Sequence, residues 1–131
     1  MSALLDTHAL VWWVDGSNKL ARAQVRAIER AARAGALFLS EISLWEIAML
    51  VEAGRMAVRE PLDEWLERAT AAPAVQRTGI TPSIAREVVS LSTTRDWDPA
   101  DRIIVATARV LGAKLVTRDS RIIESKLVHT V

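Results

Sequence analysis

The sequence contains no cysteine and only two histidines, His8 and His129. The lack of cysteine excludes disulfide bonds, zinc sites held by thiolates and cysteine nucleophiles. Two histidines are too few for a metal site built mainly from imidazole groups. A metal ion bound by this chain would therefore be held mainly by oxygen atoms, and oxygen ligands favour Mg²⁺ or Mn²⁺.

The sequence also lacks a long apolar run and a large net charge. Asp6 interrupts the first apolar residues, no basic segment precedes them, and no later run approaches the length of a membrane span. We therefore expect a cytoplasmic protein without a membrane partner. The formal net charge is +1 at pH 7, so an argument for nucleic-acid binding must rest on the local distribution of charge.

The composition is that of a globular protein: 50% of the 131 residues are hydrophobic and 25% are charged. A chain of this length buries a sizeable core without disulfides or structural metals. It contains no internal repeat, linker or low-complexity segment. We therefore predict a single domain over residues 1–131.

Two apolar strands are each predicted to end beside an aspartate. The residues Ala3–Leu5 lead into Asp6, and the strand Lys114–Thr117 is followed by Asp119. Such apolar runs suit strands that are buried on both faces of a parallel sheet. Because ligands bind at the carboxyl edge of these sheets, where the strand order reverses, we expect the two carboxylates to face each other there. The alternative for Asp6 is that it caps the following helix, which begins near Thr7.

Two predicted helices each carry a further acid beside apolar residues. Glu46 lies within the helix Ile42–Val51, and Asp101 lies in the first turn of an almost wholly apolar helix that begins at Pro99. The alternative for Glu46 is a capping box with Ser43, and the alternative for Asp101 is a favourable interaction with the helix dipole. We expect these helices to bring both acids to the edge of the sheet.

The remaining elements follow from periodicity and from turn signals. We predict helices where apolar residues recur at three- and four-residue spacing, and strands where short apolar runs lie between turns. The predicted helices are Thr7–Val14, Lys19–Ala34, one that begins at Pro61, and one from Thr81 to about Leu91. A strand is predicted over Ala36–Leu39, and residues Pro73–Ile80 are predicted to form a connection with a short strand.

Two surface features have open interpretations. Basic residues recur along the second helix with helical spacing, and they form either a track for a phosphate backbone or a solvated face. Adjacent tryptophans, Trp12 and Trp13, cannot both face one core, so we expect one of them either at a subunit or partner interface or half-buried at the surface. The basic residues are Lys19, Arg22, Arg26, Arg30 and Arg33.

Four acids brought into one crevice would repel each other, and each buried charge is costly unless it is paired or protonated. A divalent cation removes this cost, since Mg²⁺ accepts an octahedral shell of carboxylates and retained waters. A cation held in this way polarises a phosphoryl oxygen and makes a bound water more acidic. The acids therefore favour phosphodiester hydrolysis.

Four segments of the sequence resemble a known family in their order along the chain. They are LLDTHALVWW, SLWEI, WDPADRIIVATA and LVTRDSRI, and they are distributed from residue 4 to residue 122, so the resemblance extends over nearly the whole chain. In this respect the chain resembles PIN-domain ribonucleases, specifically VapC-type toxins of bacterial type II toxin–antitoxin pairs. The resemblance implies a three-layer α/β/α sandwich around a mainly parallel sheet, an endoribonuclease that depends on Mg²⁺ or Mn²⁺, a homodimer, and a cognate antitoxin that blocks the site.

The resemblance also assigns residues to the site. By matching motif, the catalytic and metal-binding acids are Asp6, Glu46, Asp101 and Asp119. Thr117 would be a polar neighbour that orients one of them or a water, and Asp98 would be a supporting residue, although its position before Pro99 favours a helix cap. Some relatives carry further acids where this chain has Ser120 and Arg121, which leaves open whether one ion or two are bound.

The hypothesis for catalysis follows from this assignment. Three of the acids would anchor one cation, and Asp119 would contribute through a water or to a second cation. Arginines would steer the backbone of single-stranded RNA towards the acids. The candidate RNA-binding residues are Arg22, Arg26, Arg30, Arg102 and Arg118, with Arg95 nearby.

Two alternatives belong to other functional classes. A magnesium-binding phosphotransfer or receiver-like domain also has an aspartate at the end of a buried strand, but the phosphotransfer type expects a second acid where this chain has His8. A non-catalytic interaction module would use the acids as helix caps and the paired tryptophans to bind a partner.

Overall fold

The computed structural model describes residues 1–71 and 74–131. Pro73, where the predicted connection begins, lies outside the described residues. The elements alternate between short strands and helices. In chain order they are β1 (Ala3–Leu5), α1 (Thr7–Val14), α2 (Arg22–Arg33), β2 (Leu37–Ser40), α3 (Ile42–Glu52), α4 (Leu62–Ala69), β3 (Gln76–Thr78), α5 (Pro82–Ser90), a 3₁₀ helix (Ser92–Thr94), α6 (Pro99–Leu111), β4 (Lys114–Val116) and α7 (Ser120–Ser125).

The four strands form one parallel sheet in the order β3-β2-β1-β4. In this register Ala3 of β1 lies beside Leu37 of β2 and Lys114 of β4. The chain builds the sheet from β1 towards β2 and β3, and then returns to add β4 on the other side of β1. The strand order therefore reverses between β1 and β4, and the carboxyl ends of these two strands border the crevice predicted from the sequence.

The sheet separates two hydrophobic clusters. Leu5 and Val116 point into one cluster, whereas Leu4 and Leu115 point into the other, because successive side chains of a strand face opposite sides. Helices α1 to α4 contribute to the first cluster, and α5, α6 and α7 contribute to the second. This arrangement is the predicted three-layer α/β/α sandwich, here with a sheet that is parallel throughout.

Most predicted elements agree with the structure to within one or two residues. Helix α2 is the exception, because it begins at Arg22 and not at Lys19. The side-chain oxygen of Gln24 accepts a hydrogen bond from the backbone N–H of Ala21 at 3.0 Å, which occupies an orphan donor at the helix start. The 3₁₀ helix and α7 were not predicted, since six residues or fewer show little periodicity.

The expectation that Trp12 and Trp13 cannot both face one core is wrong. Both side chains are half-buried and pack against the cluster that contains Leu10 and Trp65. An indole ring is large enough to reach the edge of a core from the flank of its helix. Their adjacency therefore requires no interface.

Among the residues that the structure describes, no helix combines the length and the apolar character needed to cross a membrane.

Candidate active site

All four predicted acids line one cavity of about 360 Å³. Asp6 follows β1 and Asp119 follows β4, so they flank the point where the strand order reverses. Glu46 reaches the cavity from α3, and Asp101 reaches it from the first turn of α6. We call this cavity, with the acids that line it, the acidic cavity. The acids are Asp6, Glu46, Asp98, Asp101 and Asp119.

Asp6 is the most firmly held of these acids in terms of its hydrogen bonds. Its side chain is buried, with 6% of the residue exposed. The hydroxyl of Thr117 donates to Asp6 Oδ2 at 2.7 Å, and the backbone N–H of Thr7 donates to Asp6 Oδ1 at 2.8 Å. The Thr117 hydroxyl also accepts from the backbone N–H of Asp119 at 3.0 Å. Thr117 therefore links the two aspartates that follow β1 and β4.

A second pair of hydroxyls connects α1 with the helix that carries Glu46. Thr7 Oγ1 donates to Ser43 Oγ at 2.9 Å, and both residues are buried. Ser43 lies inside α3, whose N-cap is Glu41 and has no side-chain capping bond. The capping box between Ser43 and Glu46 is therefore a wrong prediction, because the Ser43 hydroxyl is used for packing α1 against α3.

Helix capping accounts for only part of the acid cluster. Asp6 caps α1 through its bond from Thr7, and Asp119 caps α7 by accepting from the backbone N–H of Ile122 at 3.1 Å. Asp98 occupies the N-cap position of α6, but its side chain makes no capping hydrogen bond, so the capping role favoured from the sequence is wrong. The carboxylate of Asp98 borders the acidic cavity instead.

Burial and mutual repulsion make the ionised state of three acids unfavourable. Burial raises the pKa of Asp6, although the hydrogen bonds from Thr117 and Thr7 oppose the rise. Burial also raises the pKa of Glu46, and the charge of Asp6 adds to the rise. For Asp101, burial together with the surrounding acids raises the pKa to about 7. This cost of ionisation is what a bound cation would remove.

The donor chemistry of the acidic cavity fits a hard divalent cation. Its acids supply carboxylate oxygens, the ligands that Mg²⁺ and Mn²⁺ prefer, and the cavity has room for retained waters. Within residues 1–71 and 74–131, however, no three acidic or histidine side chains are already arranged as ligands of one ion. Direct binding of one ion by three of these side chains would therefore require some of them to rotate.

Two arginines line the acidic cavity, and only one of them was predicted. Arg118 was a candidate, and its guanidinium donates to the backbone oxygen of Lys19 at 2.7 Å. Arg55 was missed, because it comes from the connection after α3 and no spacing relates it to the acids. His8 and Trp12 of α1 also line the cavity and were not assigned to the site.

The other candidate arginines do not line the acidic cavity. Arg102 donates to Thr94 Oγ1 at 3.2 Å and to the backbone oxygen of Val88 at 3.4 Å, so it ties α6 to the preceding segment. The exposed arginines Arg22, Arg26 and Arg30 lie on α2, and Arg95 is exposed before α6.

The sequence matches the model of a protein family and is similar to a known protein. The PIN domain family model matches residues 3–126. The chain is 40% identical over 121 residues to ribonuclease VapC22 of Mycobacterium tuberculosis, and the match covers 92% of this chain and 89% of that protein.

Solved structures with a similar fold come from toxin–antitoxin complexes. A chain of VapBC2 from Rickettsia felis, bound to a DNA fragment from its promoter, superposes with a TM-score of 0.72 at 17% identity, covering 100% of this chain and 98% of that chain. A chain of a toxin–antitoxin complex from Klebsiella pneumoniae superposes with a TM-score of 0.58 at 21% identity, covering 92% and 88%. These matches confirm the predicted fold.

Proposed function

This chain belongs to the PIN-domain family, and on that premise we propose that it is an endoribonuclease that hydrolyses phosphodiester bonds of RNA with the help of Mg²⁺ or Mn²⁺. The match to a protein named as a ribonuclease, over most of both chains, supports the reaction class. For the same reason, hydrolysis is favoured over a phosphotransfer or receiver-like domain and over a non-catalytic interaction module.

The observation that carries the proposal is the convergence of four acids from distant parts of the sequence in the acidic cavity. Three of them have raised pKa values, so the protein keeps them together at a cost to stability. Groups with perturbed pKa values in a cleft are candidates for function.

Asp6, Glu46, Asp101 and Asp119 are the residues that would hold one or two cations. Bound there, a cation would supply Lewis acidity towards a phosphoryl oxygen and would lower the pKa of a water. Asp6 is already oriented by Thr117 and Thr7, so its carboxylate would need little rearrangement. Asp98 borders the same cavity and would support the neighbouring acids from outside the ligand set.

The biological role that we propose is that of the toxin in a toxin–antitoxin pair, inhibited by a cognate antitoxin protein. Its fold is shared with chains from VapBC2 and from a toxin–antitoxin complex. We also propose that the protein forms a homodimer and is located in the cytoplasm.

The test is cleavage of a labelled single-stranded RNA in the presence of Mg²⁺ or Mn²⁺, compared with the same reaction in EDTA. Asp6→Asn and Asp101→Asn should each lower the rate by more than the roughly 10- to 100-fold typical for residues that only support metal ligands. Asp63→Asn on α4 removes a charge from an exposed position outside the acidic cavity and should leave the rate unchanged. Full activity of either site variant, or full activity in EDTA, would contradict the proposal.

A further inference from the structure

A second cavity, of about 480 Å³, opens beside the acidic cavity. His8, Trp12 and Arg55 line both cavities, so the two cavities are adjacent. Lys19 and Arg59 line only the second. We call this second cavity the cationic groove, after its main residues His8, Trp12, Lys19, Arg55 and Arg59.

The positive charges of the cationic groove are free to meet a ligand. Within the described part of the chain, Lys19, Arg55 and Arg59 take part in no salt bridge, and all three are exposed. Asp15 also borders the groove, but it accepts a hydrogen bond from Trp65 Nε1 at 2.9 Å and lies 3.7 Å from the guanidinium of Arg68. The groove therefore presents net positive charge.

An aromatic surface lies where the two cavities meet. Trp12 is half-buried, and it both packs against the core and lines the groove. The His8 ring lies 5.8 Å from the Trp12 ring between centroids, and Lys19 Nζ lies 5.9 Å from the Trp12 centroid. His8 and Trp12 are four residues apart, so they share one face of α1, the helix that Asp6 caps.

We propose that the cationic groove binds the stretch of single-stranded RNA next to the phosphodiester that is cut, with Lys19, Arg55 and Arg59 on backbone phosphates and Trp12 stacked on a base. This inference rests on the proposed function. The acids of the acidic cavity repel a polyanion, so the attraction for RNA must come from nearby positive charge. Free cations beside a partly exposed aromatic ring are the combination that binds single strands without a sequence requirement.

The position of the groove favours it over the basic residues of α2. The groove shares three lining residues with the acidic cavity, whereas Arg22, Arg26 and Arg30 line neither cavity. A strand bound in the groove would lead directly to the acids. An RNA strand bound along α2 would not lead directly to the acids.

The experiment measures binding of a short labelled single-stranded RNA by fluorescence anisotropy in EDTA, over a series of salt concentrations. Lys19→Ser/Arg59→Ser removes two charges that line only the groove. If each contacts one phosphate, the salt dependence of log K should fall by about 1.4, or about 0.7 per contact. The control Arg77→Ser/Arg86→Ser removes two charges from exposed positions that line neither cavity, and it should keep the original slope.

Trp12 is tested with two replacements, because its ring also packs against the core. Trp12→Leu should weaken RNA binding by roughly 5- to 150-fold, the range for loss of one base–aromatic stack, whereas Trp12→Phe should stay close to the unmodified protein. Melting temperatures of all variants check that the fold is retained.

The outcomes separate the groove from the proposed function. If the unmodified protein binds RNA through the groove but does not cut it with Mg²⁺ or Mn²⁺, the groove proposal is supported and the proposed nuclease activity is contradicted. If the protein cuts RNA but both groove variants bind RNA as the unmodified protein does, the groove proposal is contradicted. An equal change in RNA binding in the control variant would also contradict it.

Discussion

At the scale of single residues, Asp101 shows how the site and the stability of the protein are connected. It lies in the first turn of α6, where the helix dipole favours a negative charge. Burial and the charges of Asp6, Glu46 and Asp119 outweigh that effect and raise its pKa to about 7. Asp101 therefore titrates near neutral pH in the metal-free protein, which an isolated aspartate does not.

The pKa of Asp101 predicts how stability depends on pH when no metal is present. The folded state binds a proton on Asp101 up to about pH 7, whereas the unfolded state releases it near the ordinary value of 3.8. Between these values the folded state binds more protons, so its stability falls as the pH rises. Unfolding by urea in EDTA should therefore require less urea at about pH 8 than at about pH 5.

Asp101→Asn separates this contribution from that of the other acids. The variant should be more stable than the unmodified protein at about pH 8, by roughly 1–2 kcal/mol once partial solvation is allowed for. It should also lose part of the pH dependence of stability, whereas the matched variant Asp63→Asn should keep that dependence. A less stable Asp101→Asn protein at that pH would show that the carboxylate is not held at a cost.

At the scale of secondary-structure elements, Gln24 connects α2 to the strand that leads to the site. Its side-chain amide donates to the backbone oxygens of Thr117 at 2.9 Å and of Val131 at 2.7 Å, while its oxygen accepts from Ala21 at 3.0 Å. The buried side chain thus joins the start of α2, the residue that follows β4, and Val131.

We predict that Gln24→Leu destabilises the protein although it is an apolar replacement inside a helix. It would leave backbone groups unpaired, at a cost of roughly 1–3 kcal/mol for each one that stays buried. Gln24→Glu should be worse at neutral pH, because its carboxylate would face two carbonyl oxygens. Urea unfolding measures both variants. If Gln24→Leu unfolds at the same urea concentration as the unmodified protein, these hydrogen bonds are not important to stability.

At the scale of the whole molecule, the parallel sheet brings acids from the start, middle and end of the chain into one cavity. Because the acids repel each other, a cation that binds only the folded state should stabilise the entire fold. This consequence concerns stability and does not depend on catalytic activity.

We predict that Mn²⁺ raises the melting temperature of the unmodified protein. At a free concentration about 100 times the Kd, binding contributes about 2.7 kcal/mol, or at least about 5 °C for a chain of this size. Asp6→Asn should reduce this increase strongly, and Asp63→Asn should retain it. Thermal unfolding with Mn²⁺ and with EDTA makes the comparison, and an equal increase for Asp6→Asn and the unmodified protein would exclude Asp6 as a ligand.

The sequence by itself determined the α/β architecture and the four acids at its centre. Short apolar runs around Leu4 and Leu115, each followed by an aspartate, are local signals that do not depend on the rest of the chain. The tertiary structure alone decided that Arg55 borders the cavity, that the Asp98 side chain does not cap α6, that Arg102 supports the fold, and that Ser43 serves helix packing. These roles depend on which distant element each side chain meets, and periodicity contains no information about such contacts because it describes only one element at a time.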